Sequence, residues 1–259
     1  MSHRCGVRQA QKEKTRRALL DAALRLLEDQ SLSSLGLREV TRAVGVAPAA
    51  FYRHFRDLSD LGVALVEESL GSLHHMIGAI LAGQDGDAER IDATVAAVAD
   101  HVRRYPAHIR FIARERHGGV RAVREAIAAE LDRFADEVAT DFCPRLSAED
   151  WPPEDVRMLA ELYVDHMVMT ATAFLEAQAE HPGAAGASGA SGAADVEDAV
   201  GPAGAESAAV AVGAAGAEDA AGAAGAAGAA GAEDERRVAA TARKQLLLIS
   251  LGRHHWRDG

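Results

Sequence analysis

The chain has 259 residues and a net charge of −11, is 48% hydrophobic, and holds only 4% aromatic residues. That length supplies core enough for two domains. The polar, basic start lacks the apolar stretch of a secretory signal, and no run of about 20 strongly apolar residues could span a bilayer. Cys5 and Cys143 are the only cysteines; so sparse a set fits a reducing cytoplasm better than a disulfide framework, and no membrane partner is expected.

The charge is unevenly divided. Residues 1–56 carry eleven Lys/Arg against five acids, a net +6, which leaves −17 for the remainder. A basic head on an acidic body suits a protein that meets double-stranded DNA with one end and repels it elsewhere.

In chain order, residues 9–30 place Leu19, Ala22, Ala23, Leu26 and Leu27 on one helical stripe, preceded by Lys12, Lys14, Arg16 and Arg17. Residues 36–56 read as a helix-turn-helix. Leu37, Val40 and Val44 line a short helix, Gly45 stops it, Val46 plugs the turn, and Pro48 opens the next helix. Phe51 and Phe55 fall on the inner face of that second helix. Ala49, Ala50, Tyr52, Arg53 and His54 remain for the outer faces, where small residues near the start approach base edges and the rest grip phosphates.

Beyond it, a helix begins near Asp57 or Ser59, both suitable N-caps, and runs to about residue 82. Further helices are expected over 88–105, 108–116 and 120–142, with Pro144 just past the last of these. Two more follow over 154–180 and 233–256. No strand pattern appears, so the expected fold is all-α: an N-terminal three-helix helix-turn-helix domain (1–56) and a C-terminal helical bundle (57–259), nine or so helices in all. Residues 182–232 are mostly Ala and Gly, with too few large apolar side chains to offset the entropy of ordering. They read as a flexible loop.

Val98, Phe111, Phe134, Leu162, Met167 and Phe174 either form plain core or enclose an apolar tunnel in the bundle. His166, on an apolar helix, is either a hydrogen-bonded core residue or part of such a lining. Arg114, Arg116, Arg121 and Arg124 cluster around Gly118-Gly119, where they either pair with neighbouring acids or offer cations to a phosphate-bearing ligand. Eleven histidines, His74, His75, His101, His108 and His117 among them, raise a metal reading. Yet no H-E-x-x-H, paired-Cys spacing, Gly-x-Ser-x-Gly or phosphate loop occurs. No catalytic residue, metal ligand or cofactor is assigned, and an enzyme is not expected. An architectural DNA-binding protein indifferent to sequence and ligand is a third class, separable by footprinting.

The segments KTRRALLDAALRLLEDQ (14–30), LREVTRAVGV (37–46) and FYRHFRD (51–57) resemble the TetR family of one-component transcriptional regulators. The resemblance implies a homodimer joined through its last two helices, an inverted-repeat operator, and a small-molecule site in the bundle. Two departures stand out. Gly36 replaces the usual hydroxyl-bearing N-cap, and Asp57 and Asp60 occupy the region where many relatives place a phosphate-binding lysine, which shifts weight onto Arg38, Arg53 and Arg56. Within the family, GVRQAQKEKTR (6–16), APAAFYRHFRDLSDLGVALVEES (47–69), FIARERHGG (111–119) and QLLLISLGRHHW (245–256) resemble regulators of unsaturated fatty-acid synthesis and desaturation. The implied effector is a long-chain acyl-CoA, and a repressor is the expected sense. A regulator of an efflux or catabolic gene with an unrelated hydrophobic ligand is the alternative, and a metal-dependent all-α enzyme a remote one.

Overall fold

The computed structural model describes residues 2–83, 86–147, 150–180 and 215–252. Nine helices are seen among them: α1 (Ser2–Leu26), α2 (Leu37–Val44), α3 (Pro48–Phe51), α4 (Leu58–Gly83), α5 (Asp87–Arg104), α6 (Pro106–Glu115), α7 (Arg121–Ser147), α8 (Pro153–Glu180) and α9 (Ala215–Gly252). The described residues contain no strand, and the fold is all-α as expected.

The helices α1–α3 form the head. Gly36 precedes α2 in extended conformation, and its N–H donates to Glu39 Oε2 at 2.8 Å. The carboxylate thus supplies the half of a capping box that does not need an N-cap side chain, and sits favourably at the positive end of the dipole. Gly45 ends α2 at φ 72°, ψ 29°, the left-handed region where a Cβ is strained. Val46 N–H then returns to Thr41 O at 3.0 Å, so the turn is a hydrogen-bonded helix stop. Pro48 starts α3, which makes a single α-helical turn; the N–H groups of His54 and Phe55 both return to Phe51 O and carry the coil on through Phe55.

Phe51 is wholly buried, its ring 5.5 Å from that of Phe55, and Arg16 of α1 lies over the Phe55 ring at 5.3 Å. With Leu19, Ala23, Leu27 and Val40 these rings make the head's core. That core does not stop at residue 56: it continues through Leu61 and Leu65 of α4 into Phe111, Ile127 and Phe134. A second cluster, including Val95, Leu159, Tyr163, Phe174 and Leu246, joins α5, α8 and α9. Asp57 is the N-cap of α4, accepting from the Asp60 N–H at 2.8 Å.

Two expectations are corrected. The helix α7 runs on through Pro144 to Ser147 rather than ending near 142. Proline removes one donor, but Leu146, fully buried in the second cluster, anchors the last turn. The final helix starts at Ala215 rather than near 233, so residues 215–232 of the expected flexible loop are helical. Alanine has the highest helix propensity and outweighs the roughly 1 kcal/mol cost of each interspersed glycine. The rest of that loop, 182–214, lies outside the described residues, as do 257–259 and the Trp256 end expected for the last helix. No helix is long and apolar enough to cross a membrane, among the described residues.

Candidate DNA interface and effector cavity

The head presents the residues expected to meet DNA. Arg38 near the start of α2, Ala49 in α3, and Tyr52 and Arg53 in the turn that follows are exposed, Tyr52 by 62%. Arg38 and Arg53 have no ion-pair partner among the described residues. Ala50 is half-buried. Arg56 is exposed but held from below: its guanidinium donates to Asp60 Oδ1 at 3.0 Å and its N–H to Oδ2 at 2.9 Å. Those two bonds lower the Asp60 pKa, the backbone one most. His54, expected on the DNA face, is less exposed than Tyr52 and Arg53. It is half-buried, and burial, then Lys12 and Arg16, depress its pKa.

In the bundle, an apolar cavity of about 70 Å³ opens between α4, α5, α6, α7 and α8. Of the expected ligand residues, Val98, Phe134 and Met167 line it. Phe111 packs in the core shared with the head and Phe174 in the α5–α8–α9 cluster. Leu162 is exposed on α8. His166 sits apart, in a groove between α8 and α9 with Met169, Thr241, Ala242 and Gln245. The walls that the sequence did not single out come from residues such as Leu70, Ile112, Leu131 and Val168, together with His101 and Thr172.

The arginines around the α6–α7 turn are committed elsewhere. Arg114 donates to three backbone carbonyls at the end of α1: Leu27 and Gln30, each at 2.7 Å, and Glu28 at 3.1 Å. Beside it, the wholly buried Glu115 accepts the Leu32 N–H at 2.9 Å, and Arg110 faces Glu28 at 3.7 Å. Arg116 reaches Asp165 at 3.5 Å, Arg121 pairs with Glu125, and Arg124 donates to Gly118 O. The C-terminal end of α6 therefore clamps the α1–α2 connection of the head. Arg114 serves the join between head and bundle, while Arg116, Arg121 and Arg124 find partners within the bundle, and none of the four lines the cavity.

The join is also close-packed at Gly62 of α4. A Cβ there would fall 2.5 Å from a Leu32 methyl and 2.7 Å from a Val123 methyl. Any larger residue at 62 would force the Leu32 and Val123 side chains aside where α4 passes between the α1–α2 connection and α7.

Residues 19–65 match the family described as bacterial regulatory proteins, tetR family. Among solved structures, the chain is similar to the transcriptional regulator FadR from Bacillus subtilis in complex with stearoyl-CoA (13% identity, 63% of this chain and 89% of that one, TM-score 0.54). It is similarly close to the fatty acid degradation regulator FadR from Bacillus halodurans (14% identity, 64% and 86%, TM-score 0.54). At such identities the likeness establishes the fold.

Proposed function

We propose that this chain, whose residues 19–65 match the tetR family, is a cytoplasmic repressor of fatty-acid desaturation or synthesis genes, released or engaged by a long-chain acyl-CoA. The observation that carries the DNA half is the hydrogen-bonded stop at Gly45, which sets Ala49, Tyr52 and Arg53 on an exposed edge of a basic head. A second copy is needed to read an inverted repeat with half-sites about 34–36 Å apart, or a multiple of that turn. Support for the homodimer comes from Met158, Leu162 and Met169 on α8 and Leu248 and Leu251 on α9. All are exposed large apolar side chains, on the two helices that would pair.

The acyl reading draws on the apolar cavity and on the FadR relative that carries stearoyl-CoA. A second reading, a smaller hydrophobic effector for an efflux or catabolic gene, is favoured by the cavity's size. An apolar cavity on the order of 150 Å³ holds a benzene ring; this one measures about 70 Å³, so a small effector needs only a modest widening of it. An acyl tail must spread α5–α8 apart to enter, and that requirement would couple the tail to the head through the α6 clamp.

The deciding experiment is a gel-shift on the inverted repeat nearest the chain's own gene, with stearoyl-CoA, oleoyl-CoA and free CoA. A shift altered by either acyl form and not by CoA supports the acyl reading. No change with any of them overturns it. Arg53→Ala and Tyr52→Phe should each weaken operator binding by about 1–2 kcal/mol with helicity intact.

A further inference from the structure

His101 is the feature of the cavity that neither the fold nor an acyl tail explains. His101, on α5, is one of the residues that line the cavity among apolar walls and is only 5% exposed. Its Nε2 is fully shielded from solvent and has no hydrogen-bond partner among the described residues. Buried polar atoms in folded proteins are nearly always paired, so an unpaired one in a cavity wall points to something that enters. The neighbouring groups do not supply the partner. Tyr105 and His101 meet ring to ring at 5.0 Å, Arg104 is held by Asp100 at 2.8 Å, and the Thr172 hydroxyl donates to Val168 O at 3.0 Å.

We propose that the cavity takes an uncharged, mainly apolar ligand carrying one hydroxyl or carbonyl oxygen, and that this oxygen hydrogen-bonds His101 Nε2. The imidazole serves either oxygen, since its protonated tautomer donates to a carbonyl and its bare nitrogen accepts from a hydroxyl. A charged ligand group is disfavoured, because the wall offers no cation and burial with the nearby His108 keeps His101 neutral. This inference rests on the cavity being the effector site, and it narrows what that effector is.

Two small probes of matched shape test it: 4-ethylphenol, and 4-ethyltoluene with a methyl in place of the hydroxyl. Transfer from water alone favours the toluene, so a preference for the phenol must come from a polar partner in the wall. Ligand-observed NMR titration of the full chain should give at least a tenfold preference for 4-ethylphenol. His101→Leu, which keeps the wall filled without a polar atom, should reverse the order, while His101→Gln should retain most of the preference. Equal affinities in the wild type, saturable binding of neither probe, or a phenol preference that survives His101→Leu in a natively helical protein would each overturn the proposal.

Stearoyl-CoA as a third probe keeps the two readings apart. If it binds wild type and His101→Leu equally while neither small probe binds, the acyl reading stands and this inference falls. If 4-ethylphenol binds through His101 and stearoyl-CoA does not bind at all, this inference stands and the acyl reading falls.

Discussion

Arginine does opposite things at the two ends of this molecule. In the head, Arg38 and Arg53 are exposed and have no ion-pair partner among the described residues, as the proposed phosphate contacts require. At the neck, Arg114 gives its donors to Leu27, Gln30 and Glu28 carbonyls, and Arg116, Arg121 and Arg124 each have a partner close by. The cores differ in the same sense. Phe51 and Phe55 close the head's interior, whereas the bundle keeps a cavity walled by Val98, Phe134 and Met167. The proposed function, reading DNA with one end and sensing a molecule with the other, calls for this asymmetry: a rigid reader, a deformable sensor and a strong joint between them.

The largest expected effect lies in the closed core. Phe51 is wholly buried, so Phe51→Ala should cost about 3–5 kcal/mol of stability, read as a fall in urea midpoint. A loss under about 1 kcal/mol would mean that the head repacks freely and is not the rigid partner in the pair.

The joint comes next. Arg114→Met keeps the apolar stem and removes the bonds to three carbonyls, each of which loses a charge-assisted partner. A cost of roughly 2 kcal/mol is expected. Amide exchange should quicken at residues 27–35, where the α1–α2 connection loses its hold. Operator affinity should change little without effector, but the effector's influence on it should shrink. An unchanged effector response would remove the α6 clamp from the coupling route.

Filling the open core reverses the sign of the first experiment. Val98 lines the cavity, and Val98→Ile adds one methylene to space already present. Burial of that group is worth about 0.8 kcal/mol, so the urea midpoint should rise, while binding of any effector should weaken because the added group occupies its place. A destabilised variant would show that the wall cannot accept even a methylene, and that the cavity is not the place where ligands enter.

How much of this was legible depended on whether residue identity carries the information. The helix-turn-helix was readable because its signals are local: an apolar stripe at Val40 and Val44, a glycine that alone tolerates φ 72°, and paired phenylalanines one turn apart. Neck and cavity were not. Arg114 is bound by main-chain oxygens, which every residue carries, so nothing at 27–30 announces the contact. Which apolar residues face a void rather than a neighbour is set by how five helices meet, and Phe111 and Phe174 fell on packed faces while Ile112 and Val168 fell on the open one. The signal for His101 was present: it lies three residues beyond Val98 and next to Val102, on the same apolar stripe of α5. A count of eleven histidines points to metal, whereas the position of this one points to a polar group on an apolar face. The Ala/Gly tract misled because lack of core-forming side chains argues against burial but not against an alanine-rich helix.

The smallest effect expected is a pH dependence that separates the two ends only faintly, since both contain shielded imidazoles. His54 in the head, and His101, His108 and His166 in the bundle, all have pKa values lowered from 6.5, with burial the largest cause in each. Below 6.5 the unfolded chain therefore binds more protons than the folded one, and stability rises with pH. The contribution is complete above 6.5 and is lost as pH falls from 6.5 through the lowered folded values. Asp141 acts the other way, because burial raises its carboxyl above 3.8 and the folded form takes up that proton first on acidification. Asp60, lowered by its bonds to Arg56, loses its contribution only below 3.8. Urea midpoints should accordingly fall between about pH 7 and pH 5.5, and His101→Leu should show a shallower fall than wild type because one of the four shielded imidazoles is gone. A midpoint flat across that interval in the wild type would mean that the imidazoles protonate in place, and that the cavity wall at His101 already reaches water.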